Sequence, residues 1–114
     1  MGEIEKAKSC FEKVIQLNPN DVDGHNNLGL LLFELKEIQK AKSFFEKTIQ
    51  LNPNYAMALY NLGVIFKQFG LSQKAVGYFE KAIEINPNYA AAYNGLGIIF
   101  EELGNNIKKA KKLF

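Results

Sequence analysis

Hydrophobic and polar residues are distributed along this chain at the spacing of amphipathic helices, and the helices come in pairs. In the first complete pair, apolar residues recur at steps of three and four and predict a helix over about 21–35; they are Leu28, Leu31, Leu32 and Leu35. A second amphipathic pattern begins at Ile38 and predicts a helix over about 38–51. This helix must end at Asn52, because the residue before a proline is pushed out of the α conformation.

The helix pairs repeat along the chain with one fixed period. Pro19, Pro53 and Pro87 follow one another at intervals of 34 residues. Three Leu-Gly pairs keep the same interval, at positions 28–29, 62–63 and 96–97. A period of this length is typical of stacked helical repeats. It predicts further helices over about 55–69, 72–85 and 89–103.

The period also divides the chain. Residues 1–20 match only the second helix of a pair, 21–54 and 55–88 are complete repeats, and 89–114 is an incomplete repeat. Gly104 is predicted to end the first helix of this last repeat. A one-residue insertion follows in the turn-prone Asn105-Asn106 pair, and a seventh helical segment then runs to Phe114.

Glycines at the same phase of each repeat fall in the middle of predicted helices. There, Gly29, Gly63 and Gly97 each cost about 1 kcal/mol relative to alanine, which indicates a close helix approach. Small residues are expected opposite them, at Ala41, Ala75 and Ala110. Larger apolar residues are expected to fill the layer between the helices: Phe45, Phe79, Leu32, Phe66 and Phe100.

Together these positions resemble the signature of the tetratricopeptide repeat (TPR). In the central copy the signature is carried by Leu59, Leu62, Gly63, Phe66, Ala75, Phe79 and Pro87. The resemblance implies an all-α fold, an α-solenoid in which antiparallel helix pairs form a right-handed superhelix, here with seven helical segments. It also implies that the first helices of successive repeats line a groove that binds peptides.

The amino-acid composition limits which classes of binding partner and which cellular location we expect. The net charge is only +2, and all 14 basic residues are lysines, so the arginine fork that reads phosphates and bases is missing. We therefore expect neither a nucleic-acid nor a membrane partner. Cys10 is the only cysteine, which favours a reducing, cytoplasmic location and leaves the nucleus open. Its place on an apolar stripe predicts a packed thiol rather than a reactive one.

Signals for catalysis are weak. His25 is the only histidine and stands where the family usually has a large packing residue. No phosphate-binding loop, catalytic triad or metal-ligating cluster can be assembled from the sequence. We expect a protein that is not an enzyme and that uses no cofactor or metal.

The groove implied by the resemblance assigns candidate binding residues to one stripe of each first helix. They are Asn26, Asn27, Leu30 and Phe33 in the first full repeat; Met57, Tyr60, Asn61, Val64 and Lys67 in the second; and Asn94 and Ile98 in the third. Of the residues that grip a terminal carboxylate in chaperone-binding relatives, only Asn61 is matched. A free peptide C-terminus is therefore not the expected ligand.

Two rows within this stripe have alternative interpretations. Asn27 and Asn61 lie one period apart and resemble the asparagine ladder of O-GlcNAc transferases, whose amides pair with a peptide backbone, although Gly95 interrupts the row. The alternative is that both asparagines face solvent or pair with each other. An apolar row one turn further on, at Leu30, Val64 and Ile98, either lines the groove or packs against adjacent helices.

The preferred function is a protein-interaction scaffold that binds an extended peptide or protein partner in the groove. One alternative is a self-assembly module, a homo-oligomer in which the terminal helices of two copies join head to tail and rebuild a full repeat. Another is a substrate-presenting part of a larger enzyme, such as a glycosyltransferase of the O-GlcNAc type.

Overall fold

The computed structural model describes the backbone of residues 2–113 and the side chains of residues 2–109. This part of the chain forms six α-helices and no strand. The helices are α1 (Glu3–Leu17), α2 (Val22–Glu34), α3 (Ile38–Leu51), α4 (Ala56–Gln68), α5 (Ser72–Ile85) and α6 (Ala90–Leu113). Each helix packs against the next in the chain, and the stack measures 59 × 32 × 20 Å. The elongated all-helical stack fits the predicted solenoid.

The two complete helix pairs turn in the same way. Lys36 and Gly70, one period apart, adopt positive φ angles of 64° and 77° just past α2 and α4. In each turn the next amide donates back to a carbonyl in the last turn of the helix: Glu37 N to Leu32 O and Leu71 N to Phe66 O, both at 2.9 Å. This geometry satisfies carbonyls at the helix end and reverses the chain.

Phenylalanines on the second helices fill the space that the glycines leave on the first helices. A Cβ atom built at Gly29 would lie 2.8 Å from the Phe45 ring, and one at Gly63 would lie 2.7 Å from the Phe79 ring. Both phenylalanines are 1% exposed or less. The predicted close approach is therefore confirmed at these two glycines, and it sets the spacing within the helix pairs.

The third repeat differs from the prediction. Gly104 does not end a helix, because α6 runs without interruption from Ala90 to Leu113, so the described chain has six helices rather than seven. No described atom lies within 4 Å of a Cβ built at Gly97, and Phe100 is 54% exposed. The predictions for Ala110 and Phe114 lie outside the described side chains.

The predicted turn is absent because its residues, Gly104, Asn105 and Asn106, disfavour a helix only weakly. A glycine and two asparagines together cost a helix about 2 kcal/mol, and a continuous helix keeps its backbone groups hydrogen-bonded. The turns after α2 and α4 gain a packed phenylalanine in return. No described side chain packs at Gly97, so that gain is missing among the described residues.

α1 covers one end of the stack. It packs against α2 through the half-buried Phe11 and Ile15, but it contains no fully buried residue. Cys10 is exposed, so the prediction of a packed thiol is wrong. Its side chain lies one residue off the stripe that Phe11 occupies, and on a helix one position turns a side chain about 100° away.

Candidate functional site

The first helices α2, α4 and α6 are joined by side chains on a shared face. The Tyr55 hydroxyl, just before α4, donates to Asp23 of α2 at 2.6 Å. Lys67 of α4 lies 3.8 Å from the Glu102 carboxylate of α6. We call this face the first-helix surface; of the predicted groove residues, it comprises Asn27, Leu30, Phe33, Met57, Tyr60, Asn61, Val64, Lys67, Asn94 and Ile98.

These residues differ in how far they reach solvent. Asn27, Met57, Asn94 and Ile98 are exposed, and the other six are half-buried. The half-buried apolar members, which include Leu30 and Val64, pack against the core. For those two residues the structure favours packing between helices, whereas Ile98 is 40% exposed and available for contact.

Asn26 is the predicted groove residue that does not belong to the surface. It is 1% exposed, and its Nδ2 donates to the Met57 sulfur at 3.3 Å, so it lies between α2 and α4. Its placement in the groove was therefore wrong. Asn26 and Asn27 are adjacent on a helix, where neighbours point about 100° apart, and periodicity alone could not decide which amide faced the groove.

Asn61 has an unusual environment for an amide at a surface. Its Nδ2 atom is buried and has no hydrogen-bond partner among the described residues. A buried donor without an acceptor costs about 1–3 kcal/mol. The amide is therefore a donor for which the described part of the chain supplies no acceptor.

Gly95 occupies the position of Asn61 in the next repeat, and its surroundings explain why the asparagine row stops there. A Cβ atom at Gly95 would lie 2.7 Å from Cζ of Phe79, the ring that also packs on Gly63. An asparagine at position 95 would therefore require this buried ring to shift.

Tyr55 and Tyr89, one period apart, precede the first helices α4 and α6. Burial, followed by the hydrogen bond from its hydroxyl to Asp23, raises the pKa of Tyr55 to about 12. Burial, with a smaller contribution from Tyr60, also raises the pKa of Tyr89. The Tyr60 and Tyr89 rings stack with centroids 5.2 Å apart. Tyr55 and Tyr89 were not predicted as parts of the site, although their 34-residue spacing was a usable signal.

Other chemistry finds little support in the described residues. His25 is 6% exposed, and its Nε2 donates to the Pro19 carbonyl at 2.8 Å, which gives it a packing role. Within residues 2–109, no three His, Cys, Asp or Glu side chains cluster closely enough to hold a metal ion. None of the described helices is long and apolar enough to cross a membrane.

Comparison with known families gives matches along nearly the whole chain. Tetratricopeptide-repeat models match residues 23–88 and 78–111, and a TPR-repeat model matches residues 1–36. The longest of these matches covers more than half of the chain.

Solved structures agree with this assignment. MamA superposes with a TM-score of 0.82 at 30% identity, over 96% of this chain and 64% of its own. The first TPR of Spaghetti (RPAP3), bound to the HSP90 peptide SRMEEVD, gives 0.83 at 25% identity, over 90% and 82%. A Thermobaculum terrenum O-GlcNAc transferase mutant gives 0.79 at 26% identity, over 86% of this chain and 19% of its own.

One curated relative is the mouse protein O-mannosyl-transferase TMTC3. It is 46% identical over 35 residues, which is 31% of this chain and 4% of the relative. The chain thus spans a very small part of that relative and just under two thirds of MamA.

Proposed function

The chain belongs to the tetratricopeptide-repeat family, and from this premise we propose that it is a non-catalytic interaction scaffold whose first-helix surface binds an extended peptide. TPR folds typically serve protein–protein interaction, and one structural neighbour is described as bound to a peptide. Neither a nucleic acid nor a membrane is part of the proposal, and a cytoplasmic location suits it.

The observation that carries the proposal is the unpaired donor of Asn61. A side-chain amide can donate to a peptide carbonyl and accept from a peptide amide, so it holds a backbone whatever the side chains of the ligand. In the free protein the buried Nδ2 lacks an acceptor. Once the half-buried side chain rotates and brings this atom to the surface, a bound peptide carbonyl would supply one and remove the cost of leaving the donor unpaired.

Residues around Asn61 suit the side chains of such a peptide. Met57 and Ile98 are 45% and 40% exposed and offer apolar contacts on either side. Methionine is adaptable in shape and suits a surface that accepts varied sequences. The Lys67–Glu102 pair adds both signs of charge at the same face.

The test is a peptide-array screen followed by titration of a selected peptide against wild type and Asn61→Ala. One lost hydrogen bond is expected to weaken binding about two- to tenfold. Stability should not fall, because the Nδ2 atom has no partner to lose. The matched control is Gln50→Ala, which removes an exposed amide from α3. Equal affinity of Asn61→Ala and wild type would contradict the role of the amide.

Self-association is a second candidate, favoured by the open position at Gly97. The equivalent Gly63 receives Phe79, whereas no described atom lies within 4 Å of a Cβ at Gly97. Phe11 of α1 stands at the phase of Phe79 in an earlier repeat. In this proposal α1 of a second copy packs on α6 and places Phe11 at Gly97.

Light scattering over a concentration series tests it. Wild type should increase in mass with concentration and Phe11→Ala should not; a wild type that stays monomeric throughout contradicts self-association. The third candidate, a substrate-presenting part of a glycosyltransferase, is supported by the two transferases among the relatives. Sequencing the parent reading frame would find or exclude a catalytic domain.

A further inference from the structure

A second concave site lies between the second helices α3 and α5, with a side chain of α4 at its base. Its volume is about 380 Å³. Lys42 and Glu46 line it from α3, and Phe66 from α4. The α5 side contributes Lys74, Gly77, Tyr78 and Lys81. We call it the α3–α5 cleft, and none of its residues belongs to the first-helix surface.

The base of the cleft is aromatic. The Phe66 and Tyr78 rings are stacked with centroids 5.3 Å apart and an interplanar angle of 4°. The ammonium groups of Lys42 and Lys74 lie 5.5 and 5.3 Å from the centre of the Phe66 ring. Cations at this distance are attracted to the ring face, which holds both lysines at the cleft.

The charge of the cleft is positive and only partly compensated. Lys42 pairs with Glu46 at 3.0 Å. Among the side chains the structure describes, neither Lys74 nor Lys81 has a carboxylate within 4 Å. Two ammonium groups at an aromatic cleft therefore lack a carboxylate partner among the described side chains, and a ligand with negative charge complements them.

Gly77 is a glycine without a packing reason. It lies inside α5, where glycine weakens a helix relative to alanine, yet a Cβ there would meet no described atom within 4 Å. The other glycine of the same repeat that lies within a helix, Gly63, is packed against a ring. The preceding repeat has Ser43 at the Gly77 position. The missing side chain at 77 leaves the mouth of the cleft open.

The preceding repeat carries the same lysines without the same base. Lys40 and Lys47 stand one period before Lys74 and Lys81, but Leu32 replaces Phe66. The lysines are thus common to both repeats. The aromatic base at Phe66 and the missing side chain at Gly77 are particular to the α3–α5 cleft.

We propose that the α3–α5 cleft binds an acidic segment of a protein partner, separately from the first-helix surface. Lys74 and Lys81 are two helical turns apart, which is about 10 Å along α5. A peptide in the polyproline II conformation advances about 3.1 Å per residue with three residues per turn, so two carboxylates three residues apart lie on the same side and match this spacing. Glu46 lies among the lysines and disfavours a polyphosphate, whose charge is denser than that of a peptide.

The test is an NMR titration of the ¹⁵N-labelled chain with a capped ten-residue peptide that has glutamates at its third and sixth positions and alanine, serine and glycine elsewhere. Amide shifts should move around Gly77 and along α3 and α5. The Lys74→Gln/Lys81→Gln double variant should bind about five- to tenfold more weakly. Binding should also weaken when salt is raised from 50 to 300 mM, as expected of exposed charges.

The matched control is Lys40→Gln/Lys47→Gln, which makes the same charge change at the same repeat positions. Equal weakening in both double variants would mean diffuse attraction to lysine faces and would overturn the proposal. Shifts that fall on the first-helix surface, or tighter binding of inorganic polyphosphate than of the peptide, would also overturn it. Unchanged affinity of Asn61→Ala for this peptide would support a site separate from that surface.

Gly77→Ala gives an independent check. The added methyl group meets no described atom within 4 Å, so the variant should be slightly more stable than wild type. Its narrower cleft should bind the peptide at least about twofold more weakly. Unchanged or stronger binding would show that Gly77 does not keep the cleft open for the peptide, and would overturn that part of the proposal.

Discussion

Alanine substitutions at Gly63 and Gly97 should change stability in opposite directions, although the two glycines stand at the same position of successive repeats. At Gly63 a Cβ would lie 2.7 Å from Cε1 and 2.8 Å from Cδ1 of Phe79. At Gly97 it would meet no described atom within 4 Å. The pair therefore isolates packing from helix propensity.

The magnitudes follow from two terms. Replacing glycine by alanine inside a helix stabilises the protein by about 1 kcal/mol. Forcing an extra carbon into a packed core costs about 1–3 kcal/mol. Phe79 cannot easily move aside, because it is 1% exposed and also lies against Gly95. We expect Gly63→Ala to lose about 1–2 kcal/mol net and Gly97→Ala to gain about 0.5–1 kcal/mol.

Urea unfolding followed by circular dichroism measures both changes, and thermal unfolding should show Gly97→Ala melting about 2–6 °C above wild type. Gly29→Ala is the matched control for the packed position, because Phe45 lies 2.8 Å from its added Cβ. If Gly97→Ala is destabilised as much as Gly63→Ala, a helix packs on Gly97. The reasoning from an uninterrupted α6 would then be refuted.

Two further results are expected. Tyr55→Phe should cost about 0.5–1.5 kcal/mol near pH 7 by removing the hydrogen bond to Asp23. Because the pKa of Tyr55 rises from 10.0 unfolded to about 12 folded, its contribution is complete below pH 10 and is lost as the pH rises to 12. Urea unfolding of both proteins across this range should show their stabilities converging; a constant difference contradicts the assignment. Cys10, which is exposed, should react with a thiol reagent without denaturant, and protection until unfolding would show that it is buried.

The sequence could predict the second helices of the two complete repeats to the residue. The helices α3 and α5 have the predicted bounds, 38–51 and 72–85, because each is followed by an Asn-Pro pair that stops a helix by steric exclusion. No such exclusion acts after Gly104. Whether the chain turns there depends on the energy gained when a further helix packs against the helix that begins at Ala90. The 34-residue period carries no information about that packing energy.

Candidate binding residues were predictable as a stripe but not as individual side chains. The three- and four-residue spacing located the first-helix surface, yet Asn26 is buried beside Met57 and Asn27 is exposed. The α3–α5 cleft was not predictable, because it requires the Phe66 ring to meet side chains of two helices that are not adjacent in the chain.

At position 95 the packing of the Phe79 ring and a third amide of the row exclude each other, and the residue present is glycine. The side chain of residue 95 would have to occupy the space of the Phe79 ring, which fills the core between α4 and α6. Burying a phenylalanine contributes about 1.5–3 kcal/mol, more than one amide contact with a ligand, about 0.5–1.5 kcal/mol. In the third repeat the core therefore takes the position. The amide row ends at Asn61, the side chain to which we assign the backbone contact in the proposed function.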